Sequence, residues 1–512
     1  MDLNYIYGKN IRKKIMLIQQ LYTRHGWITT SELTYLTQLE RKTVLKYIAE
    51  LSKDLENFNN PEISITISKG RGNFLYSSSP VILKEFLLWL IKDNLAVKLF
   101  HTFFFEGEVN ITKWSYDNYV SVSTVRRTLS NIEKKFKNLN IKIVSKKSLY
   151  SIKGQEQNIR YMYFSFFWNT YNGISWPFKN ISEEKIKKML SELGTSYSSL
   201  INFQMTEKLA FFLAVNITRF LQNNKIIFTE KSRPYYEINN QILNVSKLDE
   251  IVKKYFLISN EEISFWLIYF QTKSSFYRRF IDFHRISSLH HYYGTEVVNL
   301  YEVFKTEFLN TFNLDYHSLS EEKKSLFDAT AFAIHYKTVL FPNIKSNPID
   351  EDKEFYSLYP NLIKKIRNFC EKMAKITYNN NFLNNNFLIK KYTLLYELFY
   401  PLYNLENKIS IYFETDYPYL TNDSLKKKIE KYLKINFNID LYSAADFTED
   451  IDSPFLELQT FDLIITTSPT TIFKNIFKNS SVIYIQYQNE FSDYDIHTIY
   501  SKVKELATNQ SI

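Results

Sequence analysis

Two stretches of the chain set Arg, Lys, Ser and Thr at helical spacing on one face, opposite an apolar stripe. In ERKTVLKYIAELSKDL, Val44, Ile48, Leu51 and Leu55 form the stripe, and Arg41, Lys42, Thr43, Lys46 and Tyr47 face outward. In SVSTVRRTLSNIEKKF, the stripe is Val125, Leu129, Ile132 and Phe136, and Ser123, Thr124, Arg126, Arg127 and Ser130 face outward. Both stripes recur at i, i+4, i+7 and i+11, so each helix buries one side only. Guanidinium, ammonium and hydroxyl groups at the N-terminal end of a short helix suit the edges and phosphates of a DNA major groove. Two basic turns, Lys69-Gly70-Arg71-Gly72 and Ser145-Lys146-Lys147-Ser148, follow the two helices and place Lys69, Arg71, Lys146 and Lys147 where a phosphate backbone would run.

Other chemistries find little support. Cys370 is the only cysteine among 512 residues, which rules out an intramolecular disulfide framework and a cysteine-based zinc site. No phosphate-binding glycine loop, no His/Asp/Glu set at metal spacing and no catalytic triad context occurs. The sequence therefore predicts no catalytic residues, no metal and no cofactor, and a protein that is not an enzyme.

The charge distribution favours a polyanionic partner. Formal net charge is +10. Residues 1–160 hold 25 Lys plus Arg against 14 Asp plus Glu, so the remainder nets −1 and the basic excess is confined to the part with the two helices. Hydrophobic residues at 45% and charged residues at 23% are the balance of a folded protein. Scarce glycine (9) implies few tight turns and a mostly helical architecture. MDLNYIYGKNIRKK lacks an apolar signal core, and the apolar stretches are too short for a bilayer, which predicts a cytoplasmic protein without a membrane partner.

Around each basic helix the same parts recur. Asn10–Arg24 reads as a helix ended by Gly26. Thr30 or Ser31 then caps a short helix over Glu32–Leu36, and a turn through Thr37–Leu39 leads into the first basic helix. Ile63, Ile65 and Ile67 alternate as a strand, with Phe74–Tyr76 returning across the basic turn. In the second copy, Val81–Phe105 reads as one long helix and Ile111–Tyr116 as the next. Ser123 or Ser121 caps the basic helix, and a hairpin from Ile141 to Ile152 closes the copy. Three helices and a basic hairpin make a winged helix-turn-helix. Downstream, Tyr161–Phe399 reads as helical, including Glu207–Leu221, Glu261–Tyr277 and Ser325–Leu340. From Lys408 onward, strands at Lys408–Phe413, Phe437–Tyr442, Phe461–Thr466 and Val482–Gln486 alternate with helices at Leu420–Leu433 and Ile496–Leu506, which implies a small parallel sheet.

This order of parts resembles the Mga/AtxA-type virulence regulators of low-GC Gram-positive bacteria, most closely in SVSTVRRTLSNIEKKFKNLNIKI and ITTSELTYLTQLERKTVLKYIAEL. The fold expected is mostly α and multidomain. Winged helix-turn-helix domains span 1–79 and 80–160, and helical-bundle regulatory domains span 161–285 and 286–402. A C-terminal α/β domain over 403–512 is similar to the enzyme IIB subunit of a sugar phosphotransferase. The resemblance implies a transcriptional regulator that binds double-stranded DNA and self-associates as a homodimer or a higher oligomer on DNA. It also implies contact with phosphocarrier proteins that phosphorylate histidines. His335 in AFAIHYKTVLF is the first candidate, with His284, His290 and His291 behind it; the bland alternative for His335 is a hydrogen-bonded histidine on a helix face. Tyr269 stands where a regulation domain often has histidine, and FFLAVNITRF has none. An enzyme IIB of the cysteine type carries its nucleophile just after the first strand. Here Glu414-Thr415-Asp416-Tyr417 follows that strand, so cysteinyl transfer is excluded. The competing readings are an RNA-binding antiterminator with the same regulatory domains and a degenerate phosphotransferase-related interaction protein.

Overall fold

Amphipathic periodicity and end caps decide where the N-terminal helices begin and stop. The computed structural model describes residues 7–509 apart from residues 25, 197–202, 246, 280–281, 343–352, 444–445, 447–460, 468–480 and 486–491. The chain divides into two compact units, Met1–Tyr301 with Phe332–Ile344, and Glu302–Ala331 with Lys345–Ile512.

The first unit opens with α1 (Gly8–Arg24), α2 (Thr30–Thr37) and α3 (Arg41–Phe58), followed by the hairpin β1 (Ile63–Ser68) and β2 (Gly72–Ser77). The cap of α2 is Thr29, one residue earlier than expected. Its side chain accepts from the Glu32 amide while Glu32 reaches back to the Thr29 amide, a reciprocal capping box. Val44, Ile48, Leu51 and Leu55 of α3 pack against Leu17, Ile18, Leu21 and Leu33, with Ile63 and Leu75 of the hairpin closing the core. Each such burial stabilises the module by about 1.5–3 kcal/mol.

The second module starts with α4 (Pro80–Lys92) and α5 (Leu95–Glu106). The single helix expected over Val81–Phe105 is thus two. The polar pair Asp93-Asn94 interrupts it, and Asn94 caps α5 by accepting from the Ala96 amide at 2.9 Å. There follow β3 (Glu108–Asn110), α6 (Ile111–Asp117), α7 (Val122–Phe136), β4 (Lys142–Lys146) and β5 (Leu149–Lys153). The short β3 makes the wing a three-stranded antiparallel sheet in the order β3-β5-β4. Its core joins Leu99, Phe103, Val109, Ile111 and Trp114 to Val125 and Leu129.

Next comes α8 (Glu156–Tyr171), apolar on nearly every side and therefore buried. Phe166 stacks on Phe100 of α5 at 4.5 Å between ring centroids, and Tyr163 meets Phe104 at 4.8 Å. The boundary expected after residue 160 falls inside this helix. After it come α9 (Glu183–Ser196), α10 (Phe203–Leu221), α11 (Arg233–Val245), α12 (Leu248–Tyr255), α13 (Asn260–Gln271), α14 (Ser274–Arg279) and α15 (Phe283–Tyr292). The helix expected over Glu261–Tyr277 is broken at Thr272-Lys273 into α13 and α14. A buried charge network ties α8 to this bundle. Arg160 donates to Glu156 (3.0 Å), Asn216 (3.0 Å), the Asn224 carbonyl (2.7 Å) and both carboxylate oxygens of Glu262. Arg219 makes a two-pronged contact with Glu156 at 2.8 and 2.7 Å, and Glu262 also accepts from the Ile226 amide at 2.9 Å.

The remaining helices are α16 (Glu296–Phe312), α17 (Glu321–Leu340), α18 (Lys353–Leu358), α19 (Pro360–Thr377) and α20 (Asn386–Tyr396). In the second unit Phe304, Phe308, Phe369 and Tyr392 share one aromatic core. The C-terminal sheet is β6 (Ile409–Glu414), β7 (Ile439–Tyr442), β8 (Leu463–Thr466) and β9 (Ser481–Tyr484), all parallel, in the order β7-β6-β8-β9. Its strands are almost continuously apolar, as parallel strands covered by helices must be. Helices α21 (Tyr419–Leu433) and α22 (Asp493–Asn509) supply Leu425, Ile429, Leu433, Ile499 and Val503 to its core. Gln486, expected at the end of the last strand, lies outside the described residues.

Candidate nucleic-acid interface

In the first module, Arg41, Lys42 and Lys46 of α3 are exposed and Thr43 is half-buried. No ion pair among the described residues engages Arg41 or Lys42, whereas Lys46 lies 3.9 Å from Glu50. Tyr47 does not face outward. It is buried, donates its hydroxyl to Asn10 at 2.8 Å, and carries the ammonium groups of Lys13 and Lys46 over its ring. A ring with one polar tip can pack as core if the tip finds a partner, and here that contact seats α3 on α1. Leu45, by contrast, lies on the outward face and is 48% exposed. In the wing, Lys69 and Arg71 are exposed at the hairpin tip. Gly72 is required at its base: it has φ +103°, and a Cβ there would sit 2.3 Å from the Ile28 carbonyl oxygen. That close approach lets Ile28 and Asn73 exchange backbone hydrogen bonds of 2.9 and 2.8 Å, which fastens the wing to the segment before α2.

In the second module the N-cap of α7 is Ser121, whose hydroxyl accepts from the Thr124 amide at 3.1 Å. It also bonds the hydroxyls of Ser123 (2.9 Å) and Thr124 (2.8 Å), so these two expected contact residues are held by the cap. Ser123 is exposed and Thr124 half-buried. Arg126 and Arg127 are exposed and engage no ion pair among the described residues. Glu133, farther along α7, accepts from the Ile143 amide at 3.0 Å and stitches the wing to the helix. At the wing tip Lys146 pairs with Leu149, leaving the two-residue loop Lys147-Ser148 with φ of 47° and 67°. That is the left-handed geometry of the tight turns that suit a twisted hairpin. Lys146 and Lys147 are both exposed.

The modules agree in conformation as well as in pattern. A constant offset of 81 residues maps Val44, Ile48, Leu51 and Leu55 onto Val125, Leu129, Ile132 and Phe136. It also maps the left-handed turn residue Gln38 (φ 54°) onto Tyr119 (φ 54°), and Asn59 (φ 52°) at the end of α3 onto Asn140 (φ 53°). The turn before each basic helix and the stop after it thus share a left-handed residue at the same offset, although α7 finishes through a 3-10 turn over Lys137–Leu139 where α3 stays α-helical to Phe58.

Residues 81–167, from α4 into α8, match the Mga helix-turn-helix domain. The chain is 23% identical over 246 residues to the capsule synthesis positive regulator AcpB of Bacillus anthracis, covering 48% of this chain and 49% of that protein. It is 24% identical over 216 residues to the anthrax toxin expression trans-acting positive regulator of the same organism, covering 41% and 43%. The chain thus spans about half the length of these curated relatives. A putative trans-acting regulator of Streptococcus pneumoniae serotype 4 (strain ATCC BAA-334 / TIGR4) is 20% identical over 506 residues, 94% of this chain and 97% of that protein. The chain is similar to regulators of the Mga/AtxA type.

Outside residues 81–167 the expected histidines divide sharply. His335 on α17 and His290 on α15 are both 0% exposed. Both imidazoles are therefore enclosed in this conformation, His335 included, although it is the first candidate from the sequence. His284 and His291 are exposed and remain reachable. His290 Nδ1 is hydrogen-bonded to the Thr295 hydroxyl at 2.8 Å, and burial, with a smaller push from His291, brings its pKa down to about 3. Tyr269 is a packing residue stacked on Phe212 at 3.9 Å, its phenol pushed upward by burial. After β6, the Asp416 amide donates to the Thr467 hydroxyl at 3.0 Å, and the Thr415 hydroxyl donates to Asn422 at 2.7 Å. Cys370, on α19, is buried with its thiol pushed up to about 12. Among the described residues no group of three His, Cys, Asp or Glu could hold a metal ion, and no helix is long and apolar enough to cross a membrane.

The sequence did not point to Arg160 as the centre of a network, although Glu156 four residues earlier in an otherwise apolar helix was a signal. Leu45 falls beside the stripe residue Val44 in sequence yet lies on the opposite, exposed face, and its residue type alone does not signal that placement.

Proposed function

We propose that this chain is a DNA-binding transcriptional regulator that grips duplex DNA with both winged modules. The observation that carries this reading is the pair of conformationally equivalent helices, each presenting exposed cations that no acidic side chain among the described residues neutralises at Arg41, Lys42, Arg126 and Arg127. Lys69, Arg71, Lys146 and Lys147 on the wings flank them, Ser123 and Thr124 accompany the arginines, and Thr43 and Lys46 accompany Arg41 and Lys42. In this reading 161–285, 286–402 and 403–512 are regulatory domains without enzymatic activity. The protein acts in the cytoplasm as a homodimer, and phosphocarrier proteins reach it at His284 or His291 rather than at His335.

The test is a footprint on duplex DNA from the chain's own upstream region, with a salt titration and the Arg126→Ala, Arg127→Ala double variant. Binding should weaken by about 1–3 kcal/mol per lost base contact, or the log–log salt slope should fall by about 0.9 per lost phosphate contact. A folded double variant with unchanged affinity and slope removes α7 from the interface. Preference for a structured RNA over duplex DNA would favour an antiterminator instead.

A further inference from the structure

We propose that the two modules read chemically unlike half-sites, with Leu45 reading a thymine methyl group where Arg126 reads guanine. The inference rests on the reading of the chain as a duplex-DNA binder and names the bases that each module selects.

The constant 81-residue offset fixes which side chains occupy equivalent places on the two helices. Lys42 corresponds to Ser123, Thr43 to Thr124, Leu45 to Arg126, Lys46 to Arg127 and Ala49 to Ser130. Because the equivalent stripes Val44, Ile48, Leu51, Leu55 and Val125, Leu129, Ile132, Phe136 are all buried, equivalent positions point the same way from their own module. Position 45 is central to that face. Arg41 and Lys42, one turn before it, and Ala49, one turn after it, are all exposed. A lone exposed leucine is ordinary on a protein surface. Leu45, however, stands where the other copy has an unpaired arginine, in the middle of the face and between cations.

The major groove offers a matching difference. Guanine presents O6 and N7, which a guanidinium can take in two parallel hydrogen bonds, whereas thymine presents O4 beside an apolar C5-methyl. The exposed α7 positions Ser123, Arg126, Arg127 and Ser130 are all hydrogen-bonding, with half-buried Val122 standing at the place of Arg41. The α3 face combines cations suited to phosphates with Leu45 and Ala49, which can only touch a methyl group. An apolar protein surface is a poorer occupant for Leu45, because Arg41 and Lys42 beside it would be buried without counter-charges.

The experiment selects duplexes from a random pool with the full chain, then replaces each thymine of a selected duplex by deoxyuracil, which removes only the methyl group. In parallel, each guanine is replaced by 7-deazaguanine, which removes N7. At one or two thymines in one half of the site, deoxyuracil should weaken wild-type binding about fourfold, the equivalent of about 0.8 kcal/mol for one buried methyl-sized group. Leu45→Ala should be insensitive at those same positions. The 7-deazaguanine effect should fall in the other half and vanish in Arg126→Ala. Leu45→Arg should shift selection in the first half toward guanine. Wild-type binding indifferent to every deoxyuracil, equal losses in Leu45→Ala, or the same bases selected in both halves would each overturn the assignment while leaving DNA binding intact. If no duplex is selected at all, the DNA-binding reading falls and this inference with it.

Discussion

Removing the Arg160 guanidinium should be among the most damaging single changes available in the first unit. Its side chain is 0% exposed and that of Glu262 is 1% exposed. In Arg160→Met the methionine fills much of the space, but Glu262 keeps a buried negative charge with only the Ile226 amide to answer it. Asn216 Oδ1 and the Asn224 carbonyl lose donors as well. Breaking one side of a buried ion pair costs about 3–5 kcal/mol, because the surviving charge stays desolvated. At about 2 °C per kcal/mol, the low end for sizeable domains, the unfolding midpoint should fall about 6–10 °C. The assay is calorimetric or circular-dichroism melting of the full chain, followed for the lowest transition. Adding Glu262→Leu to Arg160→Met should recover a large part of the loss, since an apolar pair of similar volume has no charge to strand. A single variant that melts within about 1 °C of wild type, or a double variant no better than the single, would refute the network as a linchpin between α8 and its bundle.

Three further outcomes follow from other features. Ser121→Ala should destabilise the second module by about 1 kcal/mol, read as a lower urea midpoint, because the amide of Thr124 loses its cap. Gly72→Ala should cost more than Gly70→Ala: both positions have positive φ, about 1 kcal/mol or more each, but only Gly72 places the new Cβ against the Ile28 carbonyl, and equal losses would contradict the close approach. Stability should also fall with acidity. His101 is brought from 6.5 down to about 4, by burial and then by Lys179, and His290 to about 3. Above pH 6.5 both states are neutral and nothing changes. Below it the unfolded chain takes up protons that the folded chain refuses, so stability drops by about 1.4 kcal/mol per pH unit for each histidine until the folded values are reached. Urea midpoints of His290→Gln measured between pH 7 and 5 should decline less steeply than those of wild type.

The basic helices were legible because a one-sided stripe is a strong signal and occurred twice. Most C-terminal strands were legible because parallel strands read as apolar runs between turns. The misses share a cause: they depend on partners distant in sequence. Tyr47 turned inward because Asn10 of α1 could satisfy its hydroxyl, which the period of α3 alone does not reveal. His335 sits in a helix that is apolar on most sides, so its burial followed from packing rather than pattern. The break at Asp93-Asn94 is a polar dipeptide in an apolar run, and the apolar residues on both sides mask it because the Asn94 cap shows only in the backbone. Arg160 needed Asn216, Asn224 and Glu262, from 56 to 102 residues away, to make its position intelligible.

The tip of the second wing carries a consequence for any effort to make this protein sturdier. Its two left-handed positions would be occupied most comfortably by Asn-Gly, yet they hold Lys147 and Ser148, at a conformational penalty of about 1 kcal/mol each. A screen that rewards heat resistance alone would therefore favour replacing Lys147, and in doing so would strip a cation from the outermost point of the module. At this one turn robustness and grip on a polyanion pull in opposite directions, so a heat-selected variant should be checked for lost affinity before its stability is counted as an improvement.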